Sequence, residues 1–246
     1  MVDECREPAP PKRAMIVSAH PDDIEFVVAG TAAKWRQAGA EVRYVVGTSG
    51  DAGSHVPGMT RAELAMIREA EQWAAARVAG VDDVVFLRYH DGVLEPTLAL
   101  RRDLVREIRR FRPDTVVCFD PTDLFMGDGY INHPDHRAMA LATIDAIAPA
   151  ASMPLVFPEL RLEGLEPHAV RQILVAGATG AAVWIDISAT LELKIEALRQ
   201  HVSQFPDGWD PSEMIRAWAA EEGARGGLPY AEAYRRIVLA YDEAEA

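Results

Sequence analysis

The residues of this chain best equipped for chemistry fall in two short clusters, Ala19-His20-Pro21-Asp22-Asp23-Ile24-Glu25 and His133-Pro134-Asp135-His136. Histidine and aspartate are costly to bury unless paired, hydrogen-bonded or bound to metal. His20 and Asp23 stand three apart where a strand-like run gives way to a helix, so both can point at one ion. His136, in the first turn of a helix opened by Pro134, supplies a third ligand. Three protein ligands and an open position for water, whose pKa falls to about 7 when bound, describe a catalytic zinc. Asp22 is then free to hold that water and take its proton as a general base. His133 shares a helix face with His136 and is placed to stabilise an oxyanion or protonate a leaving group, with Asp135 orienting it and raising its pKa. The set suits metal-assisted amide hydrolysis. Taken alone, Pro21-Asp22-Asp23 also describes carboxylates capping a helix N-terminus, and His-x-x-His a solvent-facing pair. The joint placement of the two clusters is what favours a site.

That placement follows from the elements between them. Ala14–Ser18 is a short apolar run of buried-strand type, and Ile24–Ala38 has helical spacing closed by Gly39. The unit recurs: a strand over Val42–Thr48, a Gly-rich loop over Ser49–Gly58 and a helix from Arg61 to about Ala79. A strand over Val84–Leu87 with a helix over Leu98–Phe111, and a strand over Thr115–Phe119 with a helix over Asp135–Ile147, complete the series. This alternation predicts a single-domain, Rossmann-like α/β fold with a largely parallel sheet and helices on both faces. Ligands bind beyond the carboxyl ends of such strands. His20, the Gly-rich loop, Asp91 and the loop carrying His133 follow the four strands in turn, and so share one edge. Further on, strands are expected over Gln172–Ala176 and Ala182–Ile187, helices over Leu191–Gln204 and Tyr230–Tyr241, and a surface connection over Ala148–Pro167.

Composition narrows the partners. With 25 basic and 38 acidic residues in 246, the net charge of −13 disfavours nucleic acid and anionic membranes. The two cysteines, Cys5 and Cys118, form no disulfide framework. Residues 1–12 read as a flexible tail and 13–246 as one domain; the tail has no apolar core of a secretory signal, and the cytoplasm is the expected location. The first strand runs into His-Pro-Asp-Asp and not a G-x-G-x-x-G loop, which argues against dinucleotide binding.

Beyond the two clusters, Thr48-Ser49-Gly50-Asp51-Ala52-Gly53, Arg61-Ala62-Glu63-Leu64 with Arg68-Glu69-Ala70, Asp91-Gly92, Lys194-x-x-Ala197-Leu198 with His201-x-Ser203-Gln204, and Tyr230-Ala231-Glu232-Ala233-Tyr234 together resemble the PIG-L/LmbE superfamily of zinc-dependent N-acetylglucosamine-type deacetylases. The resemblance covers about residues 13 to 242. It implies removal of an N-acyl group, N-acetyl foremost, from an amino-sugar-containing small molecule or glycoconjugate. It implies Zn2+, or another divalent metal such as Fe2+, on His20, Asp23 and His136, with Asp22 as base and His133 assisting the oxyanion. It further implies that Arg61 and Asp91 contact the sugar. Tyr130 and Asn132, just before His133, are placed to line the pocket, though Asn132 equally suits a helix cap; Phe205, Trp209 and Trp218 are placed to shape an acceptor site or to pack in the core. Homo-oligomers are compatible with this reading. Two rivals are a non-haem iron oxygenase, against which the helices between strands weigh, and a non-catalytic sugar- or metal-binding protein, against which the intact base weighs.

Overall fold

The computed structural model describes residues 7–126, 129–205 and 208–240. In chain order the elements are β1 (Arg13–Ser18), α1 (Asp23–Val27), α2 (Ala29–Gln37), β2 (Glu41–Thr48), α3 (Arg61–Val78), β3 (Val84–Tyr89), α4 (Leu98–Phe111), β4 (Thr115–Phe119), a small hairpin of β5 (Phe125–Met126) and β6 (Tyr130–Ile131), α5 (Pro134–Asp145), α6 (Glu159–Leu162), β7 (Gln172–Ala176), β8 (Val183–Asp186), α7 (Leu191–Arg199), α8 (Ser212–Gly226) and β9 (Ala231–Val238). Seven strands form one sheet in the order β3-β2-β1-β4-β7-β9-β8. All pairings from β3 through β7 are parallel, and β9 runs antiparallel between β7 and β8. The α/β class, the parallel register and the single domain agree with the sequence reading.

The central strands are buried on both faces, which is why they read as continuous apolar runs and not as alternation. On one face Met15, Val17, Val45, Val116 and Val175 pack against Leu100, Leu104 and Ile108 of α4 and Met139 of α5. On the other, Ile16, Tyr44, Val46 and Leu174 meet Ile24, Trp35 and Ala76 of α1, α2 and α3. The long helix α3 begins in a capping box, Thr60 accepting from the Glu63 N–H while the Glu63 carboxylate accepts from Thr60.

Several elements differ from the sequence expectation. The helix expected over Ile24–Ala38 breaks at Val28 (φ −133°) into α1 and α2. No local side chain caps α2; the carboxylate of Glu232, far along the chain, accepts from the N–H groups of Gly30 (3.0 Å) and Thr31 (2.8 Å) instead. Glu232 lies on β9, where the helix formers of Tyr230–Tyr241 predict a helix and the structure holds a strand over Ala231–Val238. Pairing on both edges and burial of Glu232 and Tyr234 on one face override the local propensity. The helix expected to run to Ile147 ends at Asp145 and continues as an irregular turn over Ala146–Ala151, and that expected to run to Gln204 ends at Arg199. Helix α8 has no counterpart in the sequence reading.

The stretch Ala148–Pro167 is more than a surface connection, for it carries α6 and buries Ala150, Ala151 and Leu160. Buried Arg109 holds it by donating to the carbonyls of Ala150, Ala151, Met153, Val156 and Phe157. Of the expected N-terminal tail, residues 1–6 lie outside the described residues, while Pro8 and Pro11 are buried and Glu7 pairs with Lys34. No helix among the described residues is long and apolar enough to cross a membrane.

The buried pair of Lys194 and Glu232, 2.5 Å apart, ties α7 to the strand that caps α2. Removing one partner of such a pair leaves an uncompensated buried charge. Lys194→Met is expected to cost about 3–5 kcal/mol, measured as a lower midpoint in urea unfolding; a loss below about 1 kcal/mol would show that the backbone donors to Glu232 suffice.

Candidate active site

The site begins where β1 ends. Asp22 takes φ +96° at the N-cap position of α1, a region costly to a residue with a Cβ, on the order of 1–3 kcal/mol. It makes no capping bond with its side chain. Asp23 does not cap the helix either: its Oδ2 turns back to accept from the N–H groups of Ala19 (3.1 Å) and His20 (2.8 Å). The capping alternative for Pro21-Asp22-Asp23 is thereby set aside, and the two neighbouring carboxylates face different surroundings.

The second cluster arrives from β4. Pro134 opens α5, and His133 stands at its N-cap with Nδ1 accepting from the Asp135 N–H at 3.2 Å. His136 stacks on Phe119 at the end of β4, with ring centroids 5.5 Å apart and planes 14° from parallel. Three side chains then converge: His20 Nδ1 is 3.2 Å from His136 Nε2, His136 Nε2 is 3.0 Å from Asp23 Oδ1, and His20 Nδ1 is 3.5 Å from Asp23 Oδ2. Ligands at about 2.0–2.1 Å from a tetrahedral ion stand about 3.3–3.4 Å apart. The observed separations bracket that value, so the set predicted from sequence fits a mononuclear cation.

The other side of the His20 ring is occupied by carboxylates. Its Nε2 lies 3.1 Å from Asp91 Oδ1 and 3.3 Å from Asp135 Oδ2. Asp91 also accepts from the Ala52 N–H in the Gly-rich loop, and Asp135 from the N–H groups of Gly92 and Leu94. A ligand histidine whose second nitrogen donates to a carboxylate has its tautomer and ring direction fixed. Burial opposes a charge on His20, but Asp23, Asp135 and Asp91 outweigh it and raise its pKa to about 12. The carboxylates around this imidazole favour positive charge at the site, whether carried by the protonated ring or by a cation. Burial lifts Asp22 to about 6, against the pull of Arg68 and with a further push from Asp23. A carboxyl near that value suits proton transfer at neutral pH.

Two of the candidates have other neighbours than their expected roles describe. Asp135 does not orient His133: its carboxylate is spent on His20, Gly92 and Leu94 and lies 4.0 Å from His133 Nδ1. Accordingly His133 is held below the ordinary imidazole value by burial and by neighbouring His20, with Asp135 opposing only in part. Asp91, for which the resemblance implies a sugar contact, is buried with one oxygen on the Ala52 N–H and the other beside His20 Nε2.

The remaining candidates divide. Arg61 is exposed at the rim, held by Asp51 (2.7 Å) and by the carbonyl of Asp91 (3.2 Å). Tyr130 is exposed on the hairpin. Asn132 is buried, and it neither caps α5 nor offers its amide nitrogen to a pocket: Nδ2 donates to the Asp123 carbonyl at 2.8 Å. Phe205 packs between Phe26 and Trp209, and Trp218 against Phe26.

Sequence reasoning missed Arg68 as a site residue. It donates to the Pro21 carbonyl (2.6 Å), to Asp22 Oδ2 (3.1 Å) and to the Gly50 carbonyl (3.0 Å). Gly50 (φ +63°) must be glycine, since a Cβ there would come within 2.4 Å of the Arg68 guanidinium. The available signal was Leu64, Arg68, Gln72 and Ala75 at helical spacing: two polar residues on a buried face.

One α/β domain with a His-Asp-His set and a second carboxylate, Asp22, beside it at the strand ends defines the class of protein. The chain belongs to the PIG-L family, described as GlcNAc-PI de-N-acetylase, whose pattern matches residues 15–147. It is 31% identical over 230 residues to the diacetylchitobiose deacetylase of Thermococcus kodakarensis, covering 92% of this chain and 83% of that protein. It is also 31% identical to a probable N-acetyl-alpha-D-glucosaminyl L-malate deacetylase 2 of Bacillus anthracis, over 79% of this chain and 82% of that one. Among solved structures, the N,N'-diacetylchitobiose deacetylase of Pyrococcus horikoshii superposes with a TM-score of 0.85 at 32% identity, covering 93% of this chain and 84% of that one.

His136→Ala is expected to abolish stoichiometric metal in elemental analysis, whereas Asp135→Asn, which alters a neighbour of His20 and the Gly92 and Leu94 contacts, should weaken metal affinity about 10- to 100-fold. Equal metal content and affinity in parent and His136→Ala protein would remove His136 from the ligand set.

Proposed function

We propose that the protein is a zinc-dependent N-deacetylase that removes an N-acyl group, N-acetyl foremost, from an amino-sugar-containing small molecule in the cytoplasm. One observation carries the reading: the donor triad of His20, Asp23 and His136 lies beside Asp22, a carboxyl that burial raises to about 6 and that belongs to no ligand pair. The family membership and the names of the relatives support an amide on an N-acetylated sugar as the target. The imidazole and carboxylate donors suit zinc, and Fe2+ is the second choice for the same set.

A divalent ion there would polarise the amide carbonyl and acidify water. Asp22 accepts a proton from that water as its oxygen bonds to the amide carbon. His133, with Nδ1 engaged by the Asp135 N–H, turns Nε2–H to the developing oxyanion. The C–N bond then breaks, the proton passes to nitrogen, and free amine and carboxylic acid leave. The Asp51–Arg61 pair at the rim offers hydroxyl-binding groups to the sugar. A sugar-binding protein without catalysis has no use for a strained, desolvated carboxyl at Asp22, and the α/β sheet is not the jelly roll of the oxygenase alternative.

Zinc-loaded protein is expected to release primary amine from N,N'-diacetylchitobiose or another N-acetylglucosamine conjugate. Asp22→Asn should keep its metal and lose at least about 100-fold in kcat. His133→Ala should also keep metal and lose about 10²- to 10³-fold in kcat with little change in KM, the scale of one oxyanion donor. Parent-like kcat in Asp22→Asn with metal bound would overturn the assignment of the base.

A further inference from the structure

Behind Asp22 lies a run of buried polar groups that neither the metal triad nor the substrate requires. His201, just past α7, places Nε2 3.2 Å from Glu25 Oε2 on α1. The other oxygen of Glu25 accepts from Gln72 Nε2 on α3 at 2.9 Å, and Gln72 Oε1 accepts from the backbone N–H of Asp22 at 3.0 Å. His201, Glu25 and Gln72 are each fully shielded from solvent. Polar groups at such depth are costly unless partnered; His201 Nδ1 has no partner, while Nε2 of His201, both oxygens of Glu25 and the Gln72 amide are linked in a series that ends on one peptide bond.

That peptide, Pro21–Asp22, is gripped on both sides by α3. Arg68 donates to its carbonyl at 2.6 Å, and Gln72, one helical turn on, accepts from its N–H. The grip falls on the residue at φ +96°, a conformation that persists only where the surroundings over-determine it. The direction of the Gln72 amide is not arbitrary. The Glu25 carboxylate can only accept and the Asp22 N–H can only donate, so the amide has one orientation that satisfies both.

We infer that Gln72 is a positioning residue for the proton-accepting carboxylate: it fixes the backbone of Asp22, Glu25 sets the direction of its amide, and His201 holds Glu25. The division of labour between adjacent Asp22 and Asp23 depends on this backbone angle, since it gives the two carboxylates different partners: Asp22 faces Arg68, while Asp23 faces the Ala19 and His20 N–H groups and His136. The inference rests on the reading of Asp22 as base, and the test separates the two.

Three variants are compared with the parent on N,N'-diacetylchitobiose, with kcat expressed per bound zinc, alongside amide exchange of the zinc-free proteins by NMR. Gln72→Met, close in shape but without an acceptor, is expected to lower kcat at least tenfold with KM within about twofold. In the same variant the Asp22 amide should exchange at least tenfold faster while the amides of β1 keep their protection; a purely structural role would speed both together. Gln72→Glu opposes two carboxylates and should lose activity, and adding Glu25→Gln exchanges donor and acceptor and should return kcat to within a few-fold of parent. This double variant decides the matter alone if Gln72→Met does not fold. Parent-like kcat and Asp22 exchange in Gln72→Met, uniform acceleration of exchange, or failure of the double variant to recover activity overturns the inference. If Asp22→Asn is fully active, the base assignment fails instead; the exchange data still report whether Gln72 holds the peptide.

Discussion

The double use of one imidazole organises this protein. His20 faces Asp23 and His136 through Nδ1 and Asp91 and Asp135 through Nε2, so a single ring joins groups that follow β1, β3 and β4. Asp91 extends the connection to the loop after β2 by accepting from the Ala52 N–H. The segments that follow four of the five parallel strands therefore meet around His20. Their carboxylates make this point of the fold electrostatically suited to positive charge, and the hydrogen bonds fix where the His20 ring stands.

The fold serves this arrangement through restraint of backbone more than through packing of side chains. Asp23 and Asp135 each spend an oxygen on main-chain N–H groups before facing an imidazole. Against burial, His136 and His20 hold Asp23 well below the ordinary carboxylate range, and the His20 ring together with the Gly92 and Leu94 N–H groups lowers Asp135. Asp22, lacking those donors and buried beside Asp23, is driven the opposite way. Two adjacent aspartates thus acquire distinct chemistry from local geometry, one as a committed anion and the other as a carboxyl able to exchange its proton.

The same economy appears away from the site, where remote charged groups complete the ends of elements. Glu232 on β9 caps α2, and Arg109 on α4 gathers five carbonyls of the irregular stretch after α5. These side chains replace local capping signals, so the elements they support carry weak signatures of their own.

By itself the sequence determined the parallel α/β core, because β1, β2, β4 and β7 are apolar runs buried on both faces and such runs declare themselves locally. It also determined that His20, Asp23 and His136 would approach one another, because residue type and strand-end placement suffice to bring them together. Only the tertiary structure decided the partners of Asp91 and Asp135, the burial of Asn132, the strand at Ala231–Val238 and the break at Val28. In each case the deciding contact lies far along the chain or on another element: Asp135 with Gly92 and His20, Glu232 with Gly30, β9 between β7 and β8. Local propensity carries no information about those partners, and a buried polar group takes its role from whichever partner the fold brings within hydrogen-bonding distance.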